Sequence, residues 1–226
     1  MSSPTVGHVS AEPEIGAASN ALAIFDLDGT LVTRDSFLPF LISYAIKRRR
    51  FWPVIVMPVW IGLYVLRLIS ARTVKERLLT LIFNSEKKEN IAQHAETFCR
   101  NWVDGHLRPD LMEKLREHQK AGHRIILLSA SPDIYVPRIG KHLGIDETVC
   151  TRVAWNEGCC TGKIVGPNCK GEEKVTLLGE YLQVKRLPDT SYAYGDSKSD
   201  LPILRWATYG YLVRNGALQA VSKEMK

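Results

Sequence analysis

The 226-residue sequence lacks the signatures of several common protein classes. Its five cysteines are odd in number and scattered, no Cys-x-x-Cys pair occurs, and its six histidines show no metal-ligand spacing. We therefore expect free thiols in a reducing compartment rather than a disulfide framework or a zinc site. The sequence also lacks a compact basic-aromatic recognition module. Nucleic acid is not the expected partner, although the net charge of +6 favours an anionic one.

The start of the chain lacks the features of a targeting segment. Residues 1–20 contain neither the apolar core nor the basic start of a secretory signal. They are rich in Ser, Ala, Gly, Pro and Glu, which predicts a disordered tail. We therefore expect the folded part of the protein to be cytoplasmic.

A pair of acidic residues, Asp26 and Asp28, follows the apolar run at residues 21–25. The run predicts a buried strand, and Gly29 lets the chain turn after it. Ligands bind at the carboxyl ends of strands in an open α/β sheet. One carboxylate can attack a substrate or hold a metal, and the other can move a proton. Taken alone, the pair could equally cap the next helix.

Further polar residues follow other predicted strands. Ser129 ends a second apolar run, and Asp196 and Asp200 follow a third. Between these strands, Lys170 and Lys174 lie where a helical pattern begins. The carboxyl ends of parallel strands meet at one edge of a sheet, so these side chains are expected to converge there.

This order of clusters, with Phe-Asp-Leu-Asp-Gly-Thr-Leu at the first, resembles the four motifs of the haloacid dehalogenase (HAD) superfamily of phosphatases. The resemblance spans residues 21–215. It implies an α/β fold with a Rossmann-like core, a parallel sheet and an inserted helical cap of the C1 type. Strand and helix patterns that alternate after the cap independently predict a parallel sheet with helices on both faces. We place the core at residues 21–34 and 108–226 and the cap at residues 35–107.

Hydrophobic patterning also predicts the individual elements. Helices are expected at residues 36–47, 73–83, 87–104, 110–121, 134–143, 172–182 and 200–207. Strands are expected at residues 21–25, 125–129, 148–153, 191–194 and 208–212, with a hairpin at residues 154–165.

The resemblance implies roles for the acidic residues. Asp26 is then the nucleophile that forms an aspartyl-phosphate, and Asp28 is the acid toward the leaving alkoxide and the base toward water. Clustered acids beside a dianionic substrate require a cation, and Mg²⁺ is the expected one. The resemblance assigns it to Asp26, Asp196 and the main chain of Asp28, with Asp200 orienting these ligands. In the alternative interpretation, Asp196 only caps the following helix.

Two lysines compete for contact with the phosphate and the nucleophile. The apolar helical pattern begins directly after Lys174, which places it in the first turn of the helix, whereas Lys170 lies in the preceding turn. We favour Lys174. Ser129 is expected to hydrogen-bond a phosphoryl oxygen. The backbone amides of Ala130 and Ser131 are expected to assist, because we expect the next helix to begin there.

A helical cap directly after the first motif resembles the phosphoserine phosphatase-like subfamily. In that subfamily an acidic residue soon after the first motif contacts the substrate amine, and Asp35 lies at about that place. The second motif departs from the usual Ser-Gly-Gly, since residues 129–132 read Ser-Ala-Ser-Pro. In the fourth motif, Ser197 and Ser199 replace Gly and Asn. These departures argue against phosphoserine itself as the substrate.

An uncharged apolar run occupies residues 51–66, with a basic cluster at residues 47–50 before it and Arg67 after it. As a helix it is about 24 Å long, which is shorter than the ~30 Å hydrocarbon core of a bilayer. Pro53 and Pro58 would also disturb a straight span. We expect shallow contact with an anionic membrane surface rather than a crossing. A buried cap helix without lipid contact is the alternative.

Four features together resemble the phosphatidylglycerophosphatase C group of the same subfamily. They are the motif Phe-Asp-Leu-Asp-Gly-Thr-Leu, Asp35-x-Phe37, the apolar cap with basic flanks, and Cys169-x-Gly171-x-Glu173-Lys174-Val175. The implied reaction converts phosphatidylglycerophosphate to phosphatidylglycerol at the cytoplasmic face of the inner membrane. The main alternative is a soluble phosphoserine phosphatase-like enzyme acting on a small phosphorylated metabolite. A phosphotransferase and a non-catalytic membrane adaptor with the same fold are further alternatives.

Overall fold

A computed structural model describes residues 20–214 and 217–221 of the chain. The disordered tail predicted at residues 1–20 therefore lies, apart from Asn20, outside the described residues.

In the part of the chain that the structure describes, seven strands form one sheet in the order β4-β3-β2-β1-β5-β6-β7. They are β1 (Leu22–Phe25), β2 (Arg124–Pro132), β3 (Glu147–Asn156), β4 (Cys159–Val165), β5 (Ser191–Gly195), β6 (Tyr209–Arg214) and β7 (Ala217–Ala220). The five central strands run parallel, and β4 and β7 are antiparallel edge strands. The predicted parallel α/β sheet is confirmed, whereas β7 was not predicted.

Among the described residues, eight α-helices accompany the sheet. They are α1 (Phe37–Lys47), α2 (Phe51–Val65), α3 (Ala71–Phe83), α4 (Lys88–Phe98), α5 (Pro109–Lys120), α6 (Val136–His142), α7 (Glu172–Leu182) and α8 (Leu201–Trp206). Helices α1 to α5 lie between β1 and β2 in the chain. The helix predicted at residues 87–104 ends earlier, because a π-helical turn (Cys99–Val103) and a 3₁₀ turn (Asp104–His106) follow α4.

Strand β1 shows why the sheet is covered on both faces. Ala23 and Phe25 point into a core shared with α1, α3, α4 and α5, and Leu22 and Ile24 point into a second core with α7 and α8. Side chains alternate between faces along a strand, so an uninterrupted apolar run is required where both faces are buried. Phe25 lies opposite Leu127 of β2 and Tyr194 of β5, so β1 and β5 end almost level while β2 continues to Pro132 beside them.

Helix α3 packs closely against strand β4. Gly162 of β4 has φ +72°, and a Cβ there would collide with the backbone of Thr80. The Arg72 guanidinium donates hydrogen bonds to the carbonyls of Gly166 and Ile164 at 2.7 and 2.8 Å. The helices of residues 35–107 therefore contact the β3–β4 hairpin as well as the sheet. Their division from the core as a separate cap remains a prediction.

Helix α2 is apolar around its whole circumference, and Pro53 and Met57 are its buried residues. Phe51, Trp52 and Ile55 are 60%, 70% and 67% exposed, so a large apolar face points to solvent. Contiguous exposed apolar faces of this kind are uncommon on monomeric soluble proteins. Within residues 20–214 and 217–221, no helix is both long and apolar enough to cross a membrane.

Candidate active site

The predicted acidic residues meet at the carboxyl ends of β1 and β5. Carboxylate oxygens of Asp26, Asp196 and Asp200 lie within 4.8 Å of one another. Gly29 makes this approach possible: its φ is +81°, and a Cβ would collide with the Asp196 carboxylate. Hard oxygen ligands of this kind suit Mg²⁺.

Lys174 lies among these acids, whereas Lys170 is exposed. The Lys174 ammonium donates to Asp26 Oδ1 and to Asp200 Oδ1, both at 2.6 Å. Gly171, with φ +67°, lets the chain turn into α7, so that Lys174 projects from the first turn of the helix. Burial opposes the charged form of Lys174, but the two carboxylates outweigh it and raise its pKa.

The carboxylates differ in how well neighbouring groups stabilise their negative charge. Burial raises the pKa of Asp26 to about 7, although Lys174 acts in the opposite direction. Burial and the neighbouring Asp200 also raise the pKa of Asp196. The pKa of Asp200 is lowered despite burial, because Lys174 and Ser197 stabilise its charged form. Asp26 and Asp196 are therefore the acids that a bound cation would stabilise most.

The oxygens of Asp200 are already engaged. Oδ1 accepts from Lys174, and Oδ2 accepts from the Ser197 amide at 3.0 Å and the Ser197 hydroxyl at 2.6 Å. This reciprocal capping box begins the 3₁₀ turn Lys198–Asp200. Asp200 thus holds Lys174 and the loop after β5 in place, and the donor set that fits Mg²⁺ is Asp26 and Asp196.

Asp28 is held by two donors from separate parts of the chain. Its Oδ1 accepts from the Ser36 amide at 2.7 Å, and its Oδ2 accepts from the Ser131 hydroxyl at 2.6 Å. Burial is the largest cause of its raised pKa, and the negative charge of Asp35 adds to it, while the two donors act in the opposite direction. A raised pKa makes the carboxyl a better proton carrier than an exposed aspartate.

The segment after Ser129 differs from the prediction. Helix α6 begins at Val136, so the predicted helix start at Ala130 and Ser131 is wrong. Strand β2 instead continues to Pro132, with a register shift against β3 after Ser129. A residue before proline favours extended backbone, which keeps Ser131 in the strand.

Ser129 is buried and its hydroxyl accepts from the Ser131 amide at 3.0 Å. Ala130 and Ser131 line the adjoining cavity.

Asp35 lies at the start of α1, on the wall of the same cavity. Its Oδ1 accepts from the amides of Phe37 and Leu38 at 3.0 and 3.4 Å. The carboxylate therefore caps α1, which positions the first turn of that helix beside the site.

The acids open into a cavity of about 780 Å³. Apolar side chains from α1, α2 and α3 form part of its wall, namely Phe37, Leu38, Pro39, Ile61, Val74 and Leu78. Because Ile61 and Tyr64 belong to α2, the cavity reaches the helix that exposes the apolar face. A substrate with a phosphate and a sizeable apolar group matches this lining.

Lys75 was not predicted as a site residue. From α3 its ammonium donates to the Ala130 carbonyl and to Asn168 Oδ1, both at 2.6 Å. Burial lowers its pKa to about 8, and the charge of Lys170 contributes. No motif distinguishes Lys75 from the other cations of its amphipathic helix. Ser131 did carry a signal, because it stands where the resembled subfamily has glycine.

Comparison with known proteins agrees with this geometry. The sequence model of the haloacid dehalogenase-like hydrolase family matches residues 23–205. Protein CicA of Caulobacter vibrioides is 30% identical over 219 residues, which cover 95% of this chain and 93% of that protein. A probable phosphatase of Mycobacterium tuberculosis is 25% identical over 203 residues, which cover 80% of this chain and 64% of that protein.

Solved structures share the fold. A protein of unknown function from Bordetella pertussis superposes with a TM-score of 0.74 at 26% identity, over 83% of this chain and 86% of that one. A phosphoserine phosphatase with a phospho-aspartyl intermediate analogue superposes with a TM-score of 0.54 at 17% identity, over 84% of each chain. This second likeness concerns the fold alone.

Proposed function

The chain belongs to the haloacid dehalogenase-like hydrolase family and is a phosphatase, and from this premise we propose that it hydrolyses a phospholipid monoester. The proposed reaction is Mg²⁺-dependent, passes through an aspartyl-phosphate and converts phosphatidylglycerophosphate to phosphatidylglycerol at the cytoplasmic face of the inner membrane. The observation that supports the chemistry is the convergence of Asp26, Asp196 and Asp200, with Lys174 bonded to Asp26 and Asp200. The observation that favours a lipid is the apolar wall that links this site to α2.

In the proposed first step, an oxygen of Asp26 attacks phosphorus and the bond from phosphorus to the alkoxide breaks. The proton on Asp28 passes to the departing oxygen, so an alcohol leaves and a phosphoryl group remains on Asp26. In the second step, Asp28 takes a proton from water as the water oxygen attacks phosphorus, and the bond from phosphorus to Asp26 breaks, which releases phosphate and restores the Asp26 carboxylate. Lys174 compensates charge on Asp26 throughout. Mg²⁺, held by Asp26, Asp196 and the main-chain carbonyl of Asp28, would neutralise phosphoryl charge.

The remaining site residues serve the substrate. We assign Ser129 to a phosphoryl oxygen, because a hydroxyl that accepts from one amide can still donate its own proton. Ala130 contributes the backbone beside it on the cavity wall. Asp35 lies at the cavity with one carboxylate oxygen capping α1, and we propose that the other contacts a polar group of the substrate.

Mg²⁺ binding is expected to depend on pH. The pKa of Asp26 is raised to about 7 by burial, so below that pH an ion must displace a proton. Without Mg²⁺, this group stabilises the fold at low pH, and that contribution is lost as the pH rises through about 7. Mg²⁺ should therefore raise the melting temperature more at pH 8 than at pH 6, as measured by thermal unfolding with and without the ion. An equal stabilisation at both pH values would contradict the assignment of Asp26 as a ligand.

The flanks of α2 support contact with an anionic surface. Arg48 and Arg50 pair with the buried Glu86 at 3.2 and 3.0 Å, which anchors the start of the helix. Arg49 and Arg67 have φ of +54° and +59° at the two ends of α2. Glycine is usual in that conformation. An arginine in this conformation argues that its charge contributes to binding. A phospholipid surface is the anionic partner that fits an apolar face flanked by cations.

A substrate panel tests the proposal. We expect phosphatidylglycerophosphate in mixed vesicles with Mg²⁺ to be hydrolysed with a higher kcat/KM than phosphoserine or glycerol phosphate, because only the lipid fills the apolar wall. Released phosphate is the readout, and chelation of Mg²⁺ is the control for metal dependence. A clear preference for a soluble monoester would assign the protein to small-metabolite chemistry and overturn the lipid proposal. Transfer of phosphate to an added alcohol would identify a phosphotransferase.

A further inference from the structure

The carboxyl group of Asp28 is fixed in orientation by two hydrogen-bond donors. The Ser36 amide at the start of α1 holds Oδ1, and the Ser131 hydroxyl near the end of β2 holds Oδ2. Each carboxylate oxygen has a second lone pair, so both contacts leave room for a proton. Rotation about the Cβ–Cγ bond would break both hydrogen bonds. Ser131 and Ser36 therefore decide which way the remaining lone pairs of Asp28 face.

A buried hydroxyl network supports this arrangement. The Ser36 hydroxyl and the Tyr135 hydroxyl are 3.0 Å apart, and both residues are fully buried. The Tyr135 ring stacks on Phe40 with centroids 4.3 Å apart, which locks it into the core. Ser131 is also buried, at 4% exposure. The donors to Asp28 are thus built into rigid surroundings, as a precisely oriented acid requires.

We propose that Ser131 is a positioning residue that aims the Asp28 carboxyl at the leaving oxygen of the substrate. The inference rests on the proposed role of Asp28 as the proton donor. The step that depends on it is the first one: the bond from phosphorus to the leaving oxygen breaks, phosphorus bonds to Asp26, and the proton of Asp28 moves to the leaving oxygen. Ser131 itself keeps its own proton and does not touch phosphorus.

The leaving group separates this role from a structural one. An alkoxide leaves only when it receives a proton, whereas 4-nitrophenolate leaves readily as an anion. The value of kcat/KM reports the steps up to the first irreversible one, here departure of the leaving group, so the second step does not obscure the comparison. A misplaced Asp28 should therefore slow an alkyl phosphate and spare an aryl phosphate.

The test compares Ser131→Ala with the wild type on glycerol phosphate and on 4-nitrophenyl phosphate. We expect kcat/KM to fall about 10- to 100-fold for the alkyl ester, a fraction of the full contribution of a general acid, and to change less than about threefold for the aryl ester. Ser131→Gly should show the same losses of kcat/KM on the two esters. Ser43→Ala is the matched control, because Ser43 lies on α1 and bonds to Phe40 and His94 rather than to Asp28. Circular dichroism checks that each variant is folded.

A double-mutant cycle completes the test. If Ser131 acts through Asp28, Asp28→Asn combined with Ser131→Ala should be no slower on glycerol phosphate than Asp28→Asn alone. Equal losses on both esters, a further loss in the Asp28→Asn background, or no loss from Ser131→Ala would each overturn the inference. A wild-type protein that hydrolyses neither these two esters nor phosphatidylglycerophosphate would count against the proposed function instead, so the two failures are distinguishable.

Discussion

Replacement of Asp26 by asparagine is expected to abolish turnover, with a loss on the order of 10⁴-fold or more in kcat. An amide cannot form the acyl phosphate through which the reaction is proposed to pass. The variant should still fold, because the pKa of Asp26 is already raised to about 7 by burial and a neutral side chain is tolerated at this position. Lys174 keeps its partner Asp200 at 2.6 Å. Phosphate release and thermal unfolding measure the two expectations.

Intact mass spectrometry after acid quenching adds a direct readout for Asp26. The wild type is expected to gain the mass of one phosphoryl group during turnover, and Asp26→Asn is expected to gain none. Asp189→Asn is a matched control, since its carboxylate is 90% exposed and pairs with Arg186 in a surface loop. Near-normal turnover in Asp26→Asn would remove the nucleophile assignment, whatever the substrate.

Charges placed on the exposed face of α2 are expected to separate lipid from soluble substrates. Ile55 and Val59 are 67% and 61% exposed and lie one helical turn apart. Replacing both by aspartate should weaken binding to vesicles with anionic lipid by more than about tenfold, because apolar contact is lost and like charges meet. Hydrolysis of the lipid should fall accordingly, while kcat/KM for 4-nitrophenyl phosphate stays unchanged. Vesicle flotation and phosphate release are the measurements.

Substitution of Arg67, at the end of α2, is expected to change stability and vesicle binding in opposite directions. Arg67→Gly removes a left-handed non-glycine residue, which costs roughly 1–2 kcal/mol, so the variant should be more stable. Loss of one cation near an anionic surface costs about 1 kcal/mol, so vesicle binding should weaken about fivefold. Arg67→Lys keeps the charge and is the control. If Arg67→Gly and the double aspartate variant both bind vesicles normally, α2 does not contact lipid.

The catalytic edge of the sheet could be predicted because its determinants are local. Apolar runs ending in Asp26, Ser129 and Asp196 each signal a strand whose end carries a polar group, and parallel strands bring those ends to one edge. Lys174 could be favoured over Lys170 from the first turn of a helical pattern alone. The structure places Lys174 against Asp26 and leaves Lys170 exposed.

Contacts between distant segments could not be predicted in this way. Ser131 meets Asp28 across 103 positions of the chain, and Lys75 meets Asn168 across 93. Sequence periodicity does not predict such pairs, because they depend on how the helices between β1 and β2 pack on the sheet. The extension of β2 to Pro132 was missed for a related reason. The apolar pattern stops at Ser129, whereas the strand continues through Ala130 and Ser131 to Pro132, which pairs with Thr151 of β3.

The sparse anchoring of α2 has a consequence for engineering. Among its side chains Pro53 and Met57 are buried, and the Glu86 cluster holds the chain that enters the helix. Between residues 54 and 65, Val54, Trp60 and Ile61 also pack against the core, whereas the exposed positions do not. A designer could exchange the exposed positions for polar residues, keeping Met57, these three core contacts and the cavity-lining Tyr64. The resulting enzyme is expected to keep its phosphatase chemistry and to lose the proposed membrane contact through α2.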